Sequence, residues 1–232
     1  MEEESVSTCA RGYRYIGYFI EENMFREERI DEVVLMVTER VYKPSHDSYI
    51  LASTLYEVLN NNELRRNLVL LEIGSGTGYI SIRLCMSIYS NPTKYVIAID
   101  IDPYAIYSSW LSTKINGMDM YIDVVQCDSA SCIRSNSIDI VYFNPPYLPV
   151  CDDIPEAIAW NGGKNGTEIW REFFNNSLRM CRDRCRIVFL FSSLQNLEEV
   201  LEHIQICEYI ELHQCQSFFY ETLCSMVVEC RQ

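Results

Sequence analysis

Several features missing from this 232-residue sequence narrow its class before any motif is read. It has no uninterrupted apolar run of about 18 residues, so no membrane-spanning helix is expected. Basic residues are few: Lys and Arg number 19 against 33 Asp and Glu, for a net charge of -14. Without a Lys/Arg-rich stripe a broad grip on a nucleic-acid backbone is disfavoured, although a local basic groove stays open. The start at Met1, Glu2, Glu3 and Glu4 lacks the basic head and apolar stretch of a secretory signal, so the expected location is cytoplasmic. Internal repeats and Pro/Gly/Ser linkers are absent too. The eleven cysteines contain no C-x-x-C pair. Only Cys181 and Cys185 approach metal-ligand spacing, and His46, His203 and His213 lie far off in sequence. No metal site is predicted, and the cysteines are expected to be reduced, small apolar side chains.

What is present is the composition of a globular domain, 48% apolar and 22% charged, with an alternation of helical and strand periods from about residue 45. Ser45 or Asp47 caps a helix carrying Ile50, Leu51, Thr54, Leu55, Val58 and Leu59 on one face and ending at Asn60 to Asn62. Leu68 to Ile73 reads as a buried strand, followed by a helix over 78–88 and a strand from Lys94 to Asp100. Asp102 and Pro103 open the next helix, which Gly117 ends. Strands at 121–127 and 138–143, a helix at 167–180, a strand at 185–191, a helix at 194–204 and strands at 206–213 and 223–229 follow. Such alternation predicts an α/β fold, a mostly parallel sheet with helices on both faces. Glu21 to Glu39 is read as an amphipathic helix.

The first strand runs into Leu71-Glu72-Ile73-Gly74-Ser75-Gly76-Thr77-Gly78. Glycines here let the backbone turn sharply and approach a ligand closely. Asp100 closes the second strand, where a carboxylate can accept hydrogen bonds from both ribose hydroxyls. Asp128 closes the third strand and Asn144 follows the fourth, so polar groups at successive strand ends converge on one crevice. Each Asp taken singly is more often a helix cap or turn residue; the order together favours a bound nucleoside. The G-x-G-x-G spacing, with Glu72 upstream, suits a cationic sulfonium better than a pyrophosphate. That selects S-adenosyl-L-methionine over a dinucleotide.

Asn144-Pro145-Pro146-Tyr147 carries the reaction chemistry. An amide or exocyclic amino nitrogen is a poor nucleophile because its lone pair is delocalised. The Asn144 side-chain oxygen and the Pro145 carbonyl can each accept one of its N–H bonds, aiming the nitrogen at the methyl group. Prolines hold that carbonyl rigidly, and Tyr147 offers a flat face to a planar substrate group. The gain is positioning and electrostatics, without a titrating general base.

With these residues in view the sequence resembles the HemK-like protein glutamine N5-methyltransferases. The resemblance covers about residues 40–230 and rests on Val41-Tyr42-Lys43-Pro44-Ser45-His46-Asp47-Ser48, the glycine motif, and the Asn-Pro-Pro-Tyr run. Trp160-Asn161-Gly162-Gly163-Lys164-Asn165-Gly166 and Tyr220-Glu221-Thr222-Leu223 add to it. It implies a seven-stranded Rossmann-like class I methyltransferase sheet with an antiparallel last strand. Residues 41–232 would form that domain, with residues 1–40 an extension of open role. It further implies that Glu72, Gly74, Gly76, Gly78, Asp100, Asp128, Ser129 and Asn144 hold the cofactor, with Ser48 and Asp47 near its methionine end. Asn144, Pro145, Pro146 and Tyr147 would orient the glutamine amide, beside Trp160 and Gly163. Ser129 stands where the family more often has an apolar residue against adenine.

The family's eukaryotic members modify the glutamine of the Gly-Gly-Gln loop in class I translation release factors. Short members pair with a small zinc-binding methyltransferase-activator subunit, which the resemblance implies here as a heterodimer partner. In the strand order of this fold, Tyr121 to Cys127 is an edge strand without Pro or Lys, open to pairing with such a partner. Its alternative cover is the chain's own residues 1–40. Two other functions share parts of the pattern: a DNA or RNA adenine N6-methyltransferase, whose substrate also presents a planar amine, and a non-catalytic scaffold of the same fold.

Overall fold

The computed structural model describes residues 20–60, 67–87 and 94–230. The expectations for residues 1–19, for Asn61 and Asn62 at the end of the first helix, and for residue 88 lie outside that range. The first described elements correct the sequence reading. Glu21 to Glu39 is not an amphipathic helix; Arg26–Ile30 (β1) and Val33–Val37 (β2) form an antiparallel hairpin. The period is two, not 3.6: Val33, Leu35 and Val37 are fully buried on one face, and the three valines of the run favour a pleated strand. Asp31 makes the turn at φ 51°.

The rest of the chain alternates as expected. In order come α1 (His46–Asn60), β3 (Leu68–Ile73), α2 (Tyr79–Ser87), β4 (Lys94–Asp100), α3 (Pro103–Ile115), β5 (Ile122–Gln126) and β6 (Ile138–Phe143). Then follow α4 (Glu168–Met180), β7 (Cys181–Ser192), α5 (Leu197–Ile204), β8 (Tyr209–Ser217) and β9 (Thr222–Cys230). Helix α5 starts later than its apolar pattern suggests because the Asn196 side chain accepts from the Glu199 amide and caps it there. Seven strands form one sheet in the order β5-β4-β3-β6-β7-β9-β8. Only β9 runs against its neighbours. This is the Rossmann-like methyltransferase sheet, with β5 at one edge.

Both faces of that sheet are covered, which is why β3 reads as an unbroken apolar run. Leu68 and Leu70 pack with α1, α2 and the hairpin, whereas Leu71 and Ile73 pack with Trp170, Phe174 and Val200 of α4 and α5. Helix α3 ties the hairpin down. Its Asn116 cap accepts from the Val34 amide (3.1 Å) and donates to the Val34 carbonyl (2.6 Å), while Ser112 Oγ accepts from the Met36 amide at 2.9 Å. Ser108 donates to the Met36 carbonyl. Side chains one helical turn apart thus stand in for a missing neighbour strand.

The cysteines are a second correction. They are not uniformly free small side chains: bridges join Cys127 to Cys132, Cys181 to Cys185, Cys207 to Cys230 and Cys215 to Cys224. Cys215 and Cys224 lie directly opposite on β8 and β9, a relation that only strand register creates. Spacing along the sequence does not reveal it.

Candidate active site

The strand ends build the site. Beyond β3, the Gly74 and Ser75 amides both donate to the Ile99 carbonyl at 2.9 Å, and the Gly78 amide returns to the Ser75 carbonyl at 2.8 Å. Gly74, Gly76 and Gly78 take φ of 77°, 55° and 78°, the left-handed region that glycine reaches without strain. The Gly76 amide donates to Asp100 Oδ2 (2.9 Å), and Oδ1 accepts from the Asp102 amide (3.0 Å). Burial raises the Asp100 pKa, and the amides of Gly76, Asp102 and Ile101 pull it back down. With three amides against its four acceptor sites, Asp100 retains one for a ribose hydroxyl.

Asp128 is exposed at the end of β5. Ser129, next to it, is buried at φ 45°, and its Oγ accepts from Asn176 Nδ2 of α4 at 3.0 Å. Asn176 was invisible to sequence reasoning because it sits on a helix far along the chain. Phe173, one turn before, lies 3.6 Å from where a Cβ on Gly74 would be.

Glu72 departs from the reading given to it. Its side chain is 2% exposed and engages α2, accepting from both the amide and the hydroxyl of Ser81. The Tyr142 hydroxyl lies 2.6 Å from the same Ser81 oxygen. Burial pushes the Glu72 pKa up to about 8 against the pull of Ser81. Burial thus favours the protonated form, and the carboxyl binds the first turn of α2.

The Asn-Pro-Pro-Tyr run leaves β6 and meets the start of α1. Asp47, 2% exposed, accepts from Asn144 Nδ2 and the Tyr42 hydroxyl, both at 2.9 Å on Oδ2. On Oδ1 it accepts from the Ser48 amide (2.6 Å) and hydroxyl (3.1 Å). Burial, then the Asp47 charge, raises the Tyr147 pKa. Tyr42 was overlooked as a site residue, although it stands five positions before Asp47. Its carbonyl lies 4.0 Å from the position a Gly76 Cβ would take, so this cluster adjoins the glycine turn. One atom is left over. Asn144 Oδ1 is buried and has no hydrogen-bond partner.

The methyltransferase small domain family matches residues 45–214. The chain belongs to that family. Two relatives extend the match. A protein N5-glutamine methyltransferase of Methanocaldococcus jannaschii is 30% identical over 182 residues, 76% of this chain and 84% of that protein. The eRF1 methyltransferase catalytic subunit mtq2 of Schizosaccharomyces pombe is 32% identical over 151 residues, 58% of this chain and 65% of that protein. Among solved structures, M. jannaschii TYW2 in complex with AdoMet superimposes with a TM-score of 0.63 at 13% identity. The match covers 93% of this chain and 89% of that one, a likeness of fold.

As a methyltransferase of this fold the enzyme uses S-adenosylmethionine, and the residues fit that group. A glycine-rich turn lies beside a strand-end carboxylate, and a buried, unpaired acceptor follows the neighbouring strand β6. The Trp160 loop is laced to the same region. The Leu148 amide donates to the Trp160 carbonyl (3.0 Å), the Gly162 amide donates to the Leu148 carbonyl (2.9 Å), and Trp160 Nε1 donates to Asp152 (2.8 Å). A Cβ on Gly166 would lie 2.4 Å from the Tyr147 carbonyl, and one on Gly163 would lie 2.3 Å from Glu168. Gly163 thus packs on α4, and the loop's glycines let it press against the Asn-Pro-Pro-Tyr backbone.

Proposed function

We propose that the chain methylates N5 of a glutamine side chain, namely that of the Gly-Gly-Gln loop of a class I translation release factor in the cytoplasm. The observation that carries this reading is the buried, unpartnered Asn144 Oδ1 beside a Pro-Pro-Tyr turn. A buried acceptor left unpaired costs about 1–3 kcal/mol, a penalty that a substrate N–H removes. The reacting amide has two N–H bonds. In this reading one goes to Asn144 Oδ1 and the other to the Pro145 carbonyl, while Tyr147 packs on the planar group, with Pro146, Trp160 and Gly163 at its margin. S-adenosylmethionine supplies the electrophilic methyl group. Gly74, Gly76, Gly78, Asp100, Asp128 and Ser129 would hold its nucleoside half and Ser48 its methionine end. The names of the two relatives support the glutamine and the release factor.

The enzyme is further read as the catalytic subunit of a heterodimer with a small zinc-binding activator. The β5 edge supports this. Among the described residues no strand pairs with its outer side, and Met120 (79% exposed), Ile115 and Val125 are exposed around it. Such an edge accepts an added strand. The test is transfer of labelled methyl from S-adenosylmethionine, with and without the activator, to a Gly-Gly-Gln release factor or to an oligonucleotide. Label is expected on the factor alone and is lost in Asn144→Ala. Label on the oligonucleotide overturns the reading.

A further inference from the structure

We propose that Asp47 is the positioning residue of the reaction: it sets the Asn144 side-chain amide so that only its oxygen faces the reacting nitrogen. The inference rests on the proposed glutamine chemistry and goes beyond it, since the cofactor's methionine end is the role the sequence suggests for Asp47. A side-chain amide has two faces of opposite polarity, and a half-turn about its last bond exchanges them. An ionised carboxylate only accepts. Oδ2 of Asp47, 2.9 Å from Asn144 Nδ2, therefore admits the NH2 group and repels the oxygen. The opposite end of the amide is then Oδ1, the buried atom with no partner.

Asp47 is itself held. The Tyr42 hydroxyl shares Oδ2, while the Ser48 amide and hydroxyl occupy Oδ1. The Asp47 charge also bears on the Tyr147 hydroxyl, the second functional side chain of the Asn-Pro-Pro-Tyr run. Four donor bonds, two on each oxygen, hold the carboxylate in place against Asn144. The consequence is chemical selectivity. The reacting group must bring an N–H to Asn144 Oδ1, so a substrate whose target glutamine has been deamidated to glutamate meets oxygen against oxygen and is refused.

The experiment compares Asp47→Asn, Asn144→Asp and the double variant. It measures turnover on a Gly-Gly-Gln release factor, S-adenosylhomocysteine affinity by calorimetry, and the Asn144 side-chain amide by 15N NMR. Asp47→Asn should lower kcat by at least about 10-fold, the scale of a misplaced reactant, with cofactor-product affinity changed less than about threefold. Asn144→Asp should be inactive because two carboxylates face each other. The double variant should regain at least about 10-fold over Asn144→Asp, because the new amide at position 47 donates to the new carboxylate at position 144. The gain is read at a temperature where a melt shows all variants folded, so that relief of charge repulsion in the fold does not by itself produce it. The inference is overturned if Asp47→Asn weakens S-adenosylhomocysteine as much as it lowers kcat/KM, or if the double variant shows no gain. The NMR arm needs no substrate: an Asn144 Nδ2 proton protected from exchange in the wild type should lose protection in Asp47→Asn, and an unchanged resonance also overturns the inference. A wild-type enzyme that leaves the Gly-Gly-Gln factor unlabelled defeats the substrate reading alone.

Discussion

Replacing Glu72 by Gln should change how stability depends on pH while leaving the fold intact. In the folded chain the Glu72 carboxyl is buried between β3 and α2, bonded to the amide and hydroxyl of Ser81, and its pKa is pushed from 4.5 up to about 8. The unfolded chain ionises this group near 4.5. Below that value both states are protonated and Glu72 contributes no pH slope. Between 4.5 and about 8 the unfolded state loses its proton first, so stability falls as pH rises; above about 8 it levels off. At about 1.4 kcal/mol per pH unit the whole loss comes to about 3 to 5 kcal/mol. Glutamine matches the shape, still accepts from Ser81, and cannot ionise. Urea denaturation of the ligand-free protein at pH 5, 6.5, 8 and 9 reads the effect. The difference between the two proteins isolates Glu72, because Asp100 and Asp102, also raised by burial, titrate in both. The variant should be the more stable at pH 9 and nearly equal at pH 5. Parallel pH profiles would refute the placement of Glu72 as a buried neutral acid.

Gly166→Ala should cut turnover by about 100-fold, the cost of displacing a reacting group. The new methyl would lie 2.4 Å from the Tyr147 carbonyl at a backbone φ of 70°; steady-state kinetics beside a thermal melt checks it, and normal turnover would count against the loop contact. Asn116→Ala removes both partners of the Val34 backbone and should cost about 1–3 kcal/mol, with faster amide exchange at Val34. Loss of the Cys207–Cys230 bridge, whose ends are 23 residues apart, should cost about 3 kcal/mol on reduction. Non-reducing peptide mapping should first recover that linked pair.

Local rules made much of the fold legible. The apolar run of β3, the Asp102–Pro103 start of α3 and the glycines after β3 each follow from preferences acting within a few residues, and the structure follows them closely. The hairpin was misread because Glu21 to Glu39 carries apolar residues at both periods. What settles it is a surface the sequence does not display: Ser108, Ser112 and Asn116 on α3, holding the backbone of β2.

In the site, the sequence alone determined which residues stand at the strand ends, because a parallel sheet brings successive strand C-termini to one crevice whatever the side chains do. Gly74, Asp100, Asp128 and Asn144 were legible for that reason. Only tertiary structure decided what each carboxylate does. Burial and hydrogen-bond partners come from packing between elements: burial favours the neutral form of Glu72 against the bonds of Ser81, Asn176 claims Ser129 from 47 residues away, and Asp47 lies against an asparagine 97 residues away. A carboxylate's role depends on the donors that surround it in space.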